Sequence, residues 1–239
     1  MTGGSRNIGR AIALHLARGG AAVAVIGKSD LSAAQSVAAE ITDAGGRAHA
    51  QLADIGDETQ VKELIASVHA ALGSISILVN NAALRRPQAL ESMSLAQWRE
   101  VMNVILEGSF LCARACLPDM IAAGDGVITN IGGLSAYAGG KERGHVIAAK
   151  AGLAGLTRAL AIEFADRGIR ANTVAPGVID TVRGATAEAP PAHAGQAQTP
   201  LGRLGRPEEI AATVYYLCLP DSAFITGQTI HVNGGRFLG

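Results

Sequence analysis

The chain opens with Thr2-Gly3-Gly4-Ser5-Arg6-Asn7-Ile8-Gly9, a glycine-rich turn that runs straight into a helical periodicity. Ile8, Ile12 and Leu16 fall on one helix face ahead of Gly19-Gly20, where glycine is expected to stop the helix. Glycines allow a tight turn and a close backbone approach to a pyrophosphate, and the N–H groups and positive dipole end of the following helix hold the anion. Such a turn follows a strand, yet only Met1 precedes Thr2. The first strand is therefore expected to be truncated. It is internal in this topology, so both neighbours are expected to lose ladder partners. Surface turns also collect glycine, so the turn alone leaves its role open.

Outward from the turn, strands and helices alternate. Residues 22–26, 75–79 and 127–131 are short apolar runs rich in β-branched residues, the pattern of parallel strands buried on both faces. Val61, Leu64, Ile65, Val68 and Leu72 share a second helix face before Gly73. Further helices are expected over 95–118, 145–165 and 207–218, with strands over 170–175 and 228–232. Repeated βα units predict an α/β fold, a single-domain doubly wound parallel sheet of the Rossmann type with right-handed crossovers. No repeat or linker divides residues 1–239. The one loose stretch, 183–199, is rich in Ala, Pro, Gly and Gln, and loops of that length are usually functional or disordered.

With 239 residues and 49% hydrophobic content the chain can bury a large core. Twenty basic and twenty acidic residues give zero formal charge without runs of either sign, which argues against nucleic acid and anionic membrane surfaces as partners. Three cysteines lack metal-type spacing, and no metal site is expected; Cys112 and Cys116 read as small buried residues. No apolar stretch is expected to span a membrane, no signal peptide is expected, and a cytoplasmic protein is expected.

Taken together, Thr2-Gly3-x-x-x-Asn7-Ile8-Gly9, Asp54-Ile55, Asn80-Asn81-Ala82-Ala83, Lys150-Ala151-Gly152 and Ala175-Pro176-Gly177 occur in an informative order and spacing. Trp98, Gly108, Phe110, Gly205-Arg206-Pro207-Glu208-Glu209-Ile210 and Val232-Asn233-Gly234-Gly235 complete the set. End to end, the chain resembles the short-chain dehydrogenase/reductase family, in particular its 3-oxoacyl-carrier-protein reductase-like members. The resemblance implies that Gly3, Ser5, Arg6, Ile8 and Gly9 line the pyrophosphate and adenosine ribose. Asn7 stands where the family has glycine, and asparagine tolerates the left-handed backbone such a turn needs. Asp54 and Ile55 would flank adenine, and Asn81, Ala82 and Ala83 the ribose. Pro176, Gly177 and Ile179 would border the nicotinamide, with Thr181 near its amide. Asn80 and Asn81 also read as partners for backbone groups between strands, and both roles can coexist.

Charge bears on the phosphate. NAD sites carry an acid just after the second strand, and NADP sites a basic residue. Here the strand exits through Gly27-Lys28-Ser29-Asp30, and Arg6 adds a second cation, so NADP(H) is favoured over NAD(H). The plainer alternative has Lys28 solvated and Asp30 capping the next helix.

The family's catalytic set is Asn, Ser, Tyr and Lys. Anchored on Lys150, the Tyr position is Val146 and the Ser position Gly133; the Asn position falls on Ile105, with Asn103 expected to point away. Lys150 remains, with an implied bond to the nicotinamide ribose. Two substitutes suggest themselves. Tyr137 and Lys141 repeat the Tyr-x-x-x-Lys spacing, but in a glycine-rich loop. His145 titrates near neutrality beside Val146, though about 100° away around the helix; a helix-start or interface histidine is its alternative reading. Arg143 reads either as an anion-binding or as a solvated residue.

Three functions follow. The first is an NADP(H)-dependent oxidoreductase acting on a carbonyl or hydroxyl of a small molecule with a non-standard proton donor. The others are a catalytically inactive cofactor-binding subunit, and a non-redox enzyme on the same fold. The resemblance also implies a homo-oligomer, dimer or tetramer, built on the long helices; the Ala-, Gly- and Leu-rich stretch 148–160 suits close contact with a helix or with the sheet.

Overall fold

A computed structural model of the chain describes residues 1–181 and 199–239. Helices and strands alternate as α1 (Asn7–Arg18), β1 (Val23–Gly27), α2 (Leu31–Asp43), β2 (Ala48–Leu52), α3 (Glu58–Leu72) and β3 (Ile77–Asn80). They continue as α4 (Leu95–Met102), α5 (Gly108–Ala123), β4 (Gly126–Ile131), α6 (Ser135–Ala138), α7 (Gly144–Glu163), β5 (Ile169–Pro176), α8 (Pro207–Cys218) and β6 (Thr229–Val232). Every strand pair among the described residues is parallel, β1 with β2 and β3-β4-β5-β6 in that order. This is the expected α/β architecture, with parallel sheets flanked by helices.

The expectation that β1 and β3 lose their ladder partners needs correction. Met1 and Thr2 lie between them: Ile26 N–H donates to the Met1 carbonyl at 3.1 Å, Gly4 N–H to Ile26 at 3.1 Å, and Thr2 N–H to Val79 at 3.1 Å. Met1 and Thr2 thus link the halves of the sheet, with Thr2 and Ile26 forming a parallel bridge.

Each run has a physical cause. β4 is buried at all six positions, which accounts for its continuous apolar run. Ile8, Ile12 and Leu16 of α1 pack in one cluster with Val25 of β1 and Ile210, Val214 and Leu217 of α8. Other expectations shift. The helix expected over 95–118 is α4, a π-helical turn at Asn103–Glu107 and α5, which carries Pro118 inside it and ends at left-handed Gly124. The stretch before α7, expected to be a loop, contains the one-turn helix α6. Helix α7 also corrects the expectation about membrane spans. By length and composition it could cross one, but half of that window is buried and the helix carries buried Lys150. Of the loose stretch 183–199 only Thr199 lies within the described residues; its hydroxyl donates to the Arg203 carbonyl at 2.7 Å.

Candidate active site

The turn at 2–9 is held by its own glycines and by β3. Gly3 and Asn7 have φ of 60° and 50°, so Asn7 takes the left-handed conformation expected of it. A Cβ on Gly9 would stand 1.9 Å from the Gly3 carbonyl oxygen, which restricts that position to glycine. Asn81 reaches back with its amide nitrogen to the carbonyls of Gly3 at 2.9 Å and Thr2 at 3.2 Å. The Thr2 hydroxyl accepts from the N–H groups of Asn81 and Ala82 at 3.0 and 3.2 Å. The start of α1 is left electrically open: Arg6 at the N-cap makes no side-chain cap, and the first turn holds no acid. An uncapped helix start and a positive dipole end behind a glycine cradle fit a pyrophosphate. Ser5 is half-buried and Arg6 exposed beside them, while Ile8 packs into the core behind.

Just after β1, Lys28 pairs with Asp54 at 2.6 Å, so it is not merely solvated. Asp54 also accepts from Gly56 N–H at 3.1 Å. Ser29 is exposed, and Asp30 caps α2 by accepting from Ala33 N–H at 2.9 Å, one of the two readings the sequence left open. Ile55 is buried against α5, where a Cβ on Gly108 would approach it to 2.8 Å. Its side chain is core.

At the opposite end, the segment after β5 is tied down on both sides. Gly177 N–H donates to Val232 at 2.9 Å, Leu134 N–H to Pro176 at 2.9 Å, and Ile179 bridges to Gly205. Thr181, half-buried, ends the first described stretch. Asn81, Ala82, Ala83, Gly133, Pro176 and Gly177 all lie at or beyond the C-terminal ends of parallel strands. Ligands of open α/β sheets bind at this edge.

Lys150 faces that edge from α7. It is 4% exposed, and its ammonium donates to the Ile131 carbonyl at the end of β4. Burial and, secondarily, the positive charge of Arg85 bring its pKa down to about 7. A polar chain through the sheet seats α7: Asn80 donates to Asn130 at 2.9 Å, and Asn130 to Thr157 at 2.8 Å. The Thr157 and Thr173 hydroxyls are 2.8 Å apart. Thr157 lies about two helical turns beyond Lys150, on the same helix face.

Around Lys150 the surroundings are apolar. Val146 and Ile105 belong to one cluster with Val101, Ala149 and Leu153. Gly133 has open space, with nothing within 4 Å of where a Cβ would stand. Asn103 turns away as expected, its amide nitrogen 3.2 Å from both the Gly56 carbonyl and the Glu107 carboxylate. Tyr137 points to β6, where its hydroxyl meets Thr229 at 2.9 Å and its ring contacts His231 and Phe237, away from a pairing with Lys141. His145 is 1% exposed with Nδ1 unpartnered. Burial lowers its pKa, against smaller opposing contributions from the backbone at Arg86 and Arg143. Arg143 is exposed. Sequence reasoning missed the polar chain behind α7, because nothing in the local sequence signals that side chains this far apart meet. It missed Asn130 and Thr157, which are 27 residues apart and meet only through the fold.

A glycine cradle at a helix start, the open edge of a parallel sheet and a buried lysine on α7 agree with the short-chain dehydrogenase/reductase family, and the chain belongs to that family. The family model described as enoyl-(acyl carrier protein) reductase matches residues 3–236. Among curated relatives, the 3-oxoacyl-[acyl-carrier-protein] reductase FabG of Staphylococcus aureus is 38% identical, covering 100% of this chain and 97% of the relative. The enzyme of that name from Aquifex aeolicus is 39% identical over 99% and 96%. The (2S)-[(R)-hydroxy(phenyl)methyl]succinyl-CoA dehydrogenase subunit BbsD of Thauera aromatica is 39% identical over 100% and 95%. These relatives are oxidoreductases, which supports an enzyme in this chain.

Proposed function

We propose that the chain is an NADP(H)-dependent oxidoreductase that interconverts a carbonyl and a hydroxyl on a small acyl-thioester substrate, using a non-standard proton donor. The observation that carries this reading is the fit of the turn to a dinucleotide: an uncapped, acid-free helix start behind Gly3 and Gly9, locked by Asn81. The relatives' names, a 3-oxoacyl-[acyl-carrier-protein] reductase and a dehydrogenase of a hydroxylated succinyl-CoA, suggest the substrate class. Residues 1–239 are read as one dinucleotide-binding domain, cytoplasmic and assembled as a dimer or tetramer.

In this reading Gly3, Ser5, Arg6, Ile8 and Gly9 cradle the pyrophosphate and ribose. Lys28 and Ser29 receive the 2′-phosphate, with Asp54 and the Ile55 backbone beside the adenine. Asn81, Ala82 and Ala83 line the ribose side, and Pro176, Gly177, Ile179 and Thr181 the nicotinamide. Because Lys28 already pairs with Asp54, a 2′-phosphate has to share that lysine; Arg6 is the second cation. NADPH, when bound, supplies the hydride. Lys150 orients the nicotinamide ribose. His145 is assigned the proton: burial lowers its pKa, so its unpartnered Nδ1 takes the hydroxyl proton when the alcohol is oxidised, and in reduction it gives the alkoxide a proton that it has first taken up from water.

The apolar packing of Val146 against Ile105 favours a second reading, a cofactor-binding subunit without chemistry of its own. That one relative is named as a subunit keeps this reading in view. A fluorescence titration with NADPH and NADH, followed by hydride transfer to a 3-oxoacyl thioester, separates the two. His145→Ala is expected to lower turnover on the order of 10²-fold or more. Unchanged turnover removes His145 from the reaction.

A further inference from the structure

A cleft of about 430 Å³ opens at the N-terminal edge of the sheet, the edge opposite the candidate active site. It is lined by the ends of α1 and α2 and by the approaches to β1 and β2, with Arg18 from the first pair of elements and Arg47 from the second. A volume of this size is typical of small-molecule sites. Val23 N–H donates to the Arg47 carbonyl at 2.9 Å, which ties the two approaches together. Gly20 and Gly45 have φ of 94° and 85°, and a Cβ on either would meet nothing within 4 Å, so no side chain fills the cleft from these two turns.

The charge on this lining is uncompensated. Arg18 and Arg47 are exposed, and no carboxylate lines the cleft. Among the described residues neither forms an ion pair, whereas Arg10, Arg86, Arg114 and Arg203 each meet a glutamate within 2.9 Å. The acid closest to Arg47 in sequence, Asp43, is exposed at the end of α2 and also has no ion-pair partner among the described residues. Helix C-termini disfavour anions, but their last carbonyls are occupied here. Gly20 N–H donates to Ala17 at 2.9 Å and Ala21 N–H to Leu16 at 3.1 Å, while Gly45 and Gly46 donate to Thr42 and Ile41 at 2.9 Å. A concave site lined by charge of one sign concentrates counter-ions.

We infer that this cleft is a second binding site, which takes a small molecule carrying a phosphate or diphosphate group between Arg18 and Arg47. A planar guanidinium offers paired N–H donors to phosphate oxygens, and two of them on one cleft suit an anion with oxygens on more than one side. The site is separate from the turn at 2–9: the twelve residues of α1 set Arg18 about 18 Å from it. It is not isolated from the turn's surroundings, because β1 starts at the cleft and runs to Lys28, and β2 starts there and runs toward Asp54. The inference does not rest on the oxidoreductase reading.

The test is calorimetric titration of inorganic pyrophosphate into the full chain in the presence of excess NADP⁺. Pyrophosphate is expected to bind, more weakly as salt is raised. Arg18→Gln and Arg47→Gln are each expected to weaken binding about tenfold or more, and the double substitution to abolish it. Both side chains are exposed, so these variants are expected to fold as the parent does. Asp43→Asn, which removes the neighbouring acid, is expected to tighten binding. Arg158→Gln, on the exposed face of α7, and Arg6→Gln, at the turn, are expected to change nothing. No binding, binding that Arg18→Gln and Arg47→Gln both retain, or an equal loss in Arg158→Gln overturns the inference. So does a loss confined to Arg6→Gln, which places pyrophosphate in the turn instead. Tighter binding of succinate than of pyrophosphate overturns the assignment to phosphate. The readout is binding alone, so failure of hydride transfer from NADPH removes the oxidoreductase and leaves this site standing.

Discussion

Asn81 donates from the end of β3 to the carbonyl of Gly3, 2.9 Å away, so the end of this strand also fixes the turn proposed to cradle phosphate. The same half-buried amide donates to the Thr2 carbonyl at 3.2 Å. Asn81→Ala is expected to cost about 1–3 kcal/mol of stability by leaving two carbonyls short of a donor. It is also expected to weaken NADPH binding by about tenfold. Thermal melts with and without NADPH check both.

The chain Asn80–Asn130–Thr157–Thr173 crosses the sheet to hold α7 and hence Lys150. Thr157→Val keeps the shape and removes the hydroxyl, leaving the fully buried Asn130 amide without that acceptor. A loss of about 1–3 kcal/mol is expected in denaturant unfolding. Asn130→Leu, which removes the other partner and most of its polarity, is expected to cost no less.

Lys150 gives a signed pH dependence. Its folded pKa of about 7 lies below the ordinary 10.5. Between those values the unfolded chain holds a proton that the folded chain lacks, so this group makes stability rise with pH across that window. Below pH 7 its full penalty applies, at most about 5 kcal/mol. Lys150→Met is expected to raise the melting temperature most at about pH 6, less at about pH 9, and hardly at about pH 10.5. A gain independent of pH would show that packing rather than charge is responsible.

Gly133 and Val146 allow a gain-of-function experiment. A side chain at Gly133 meets nothing within 4 Å, so Gly133→Ser is expected to leave the melting temperature unchanged. Val146 is buried in the cluster with Val101, Ile105, Ala149 and Leu153, so a tyrosine there requires its neighbours to shift. If the site transfers hydride, Gly133→Ser with Val146→Tyr is expected to speed single-turnover reduction on the order of 10² or more, the contribution of a positioned acid.

The parts of this molecule that are legible in the sequence rest on local pattern. β1, β4 and β5 are largely buried on both faces and read as continuous apolar runs, and α8 is legible at 207–218 because Pro207 opens it. β2 is not legible, because Ala48-His49-Ala50-Gln51-Leu52 is half-buried throughout and has no apolar run. The turn is legible down to the left-handed Asn7, since few residues tolerate that conformation. What is not legible depends on contacts between distant segments: the Lys28–Asp54 pair, the Asn80–Asn130–Thr157 chain, and the packing of Tyr137 on β6. Counting strand length in residues predicts missing ladder partners at the N-terminus; the backbone bonds of Met1 and Thr2 are enough to make the join.

The most direct test is transfer of deuterium from 4-deuterated NADPH to a 3-oxoacyl thioester by the full-length chain, read by mass spectrometry of the product. Deuterium is expected on the hydroxyl-bearing carbon, with NADPH bound more tightly than NADH. NADPH that binds but never delivers its label to 3-oxoacyl thioesters would contradict the oxidoreductase reading and leave a cofactor-binding subunit or a non-redox enzyme.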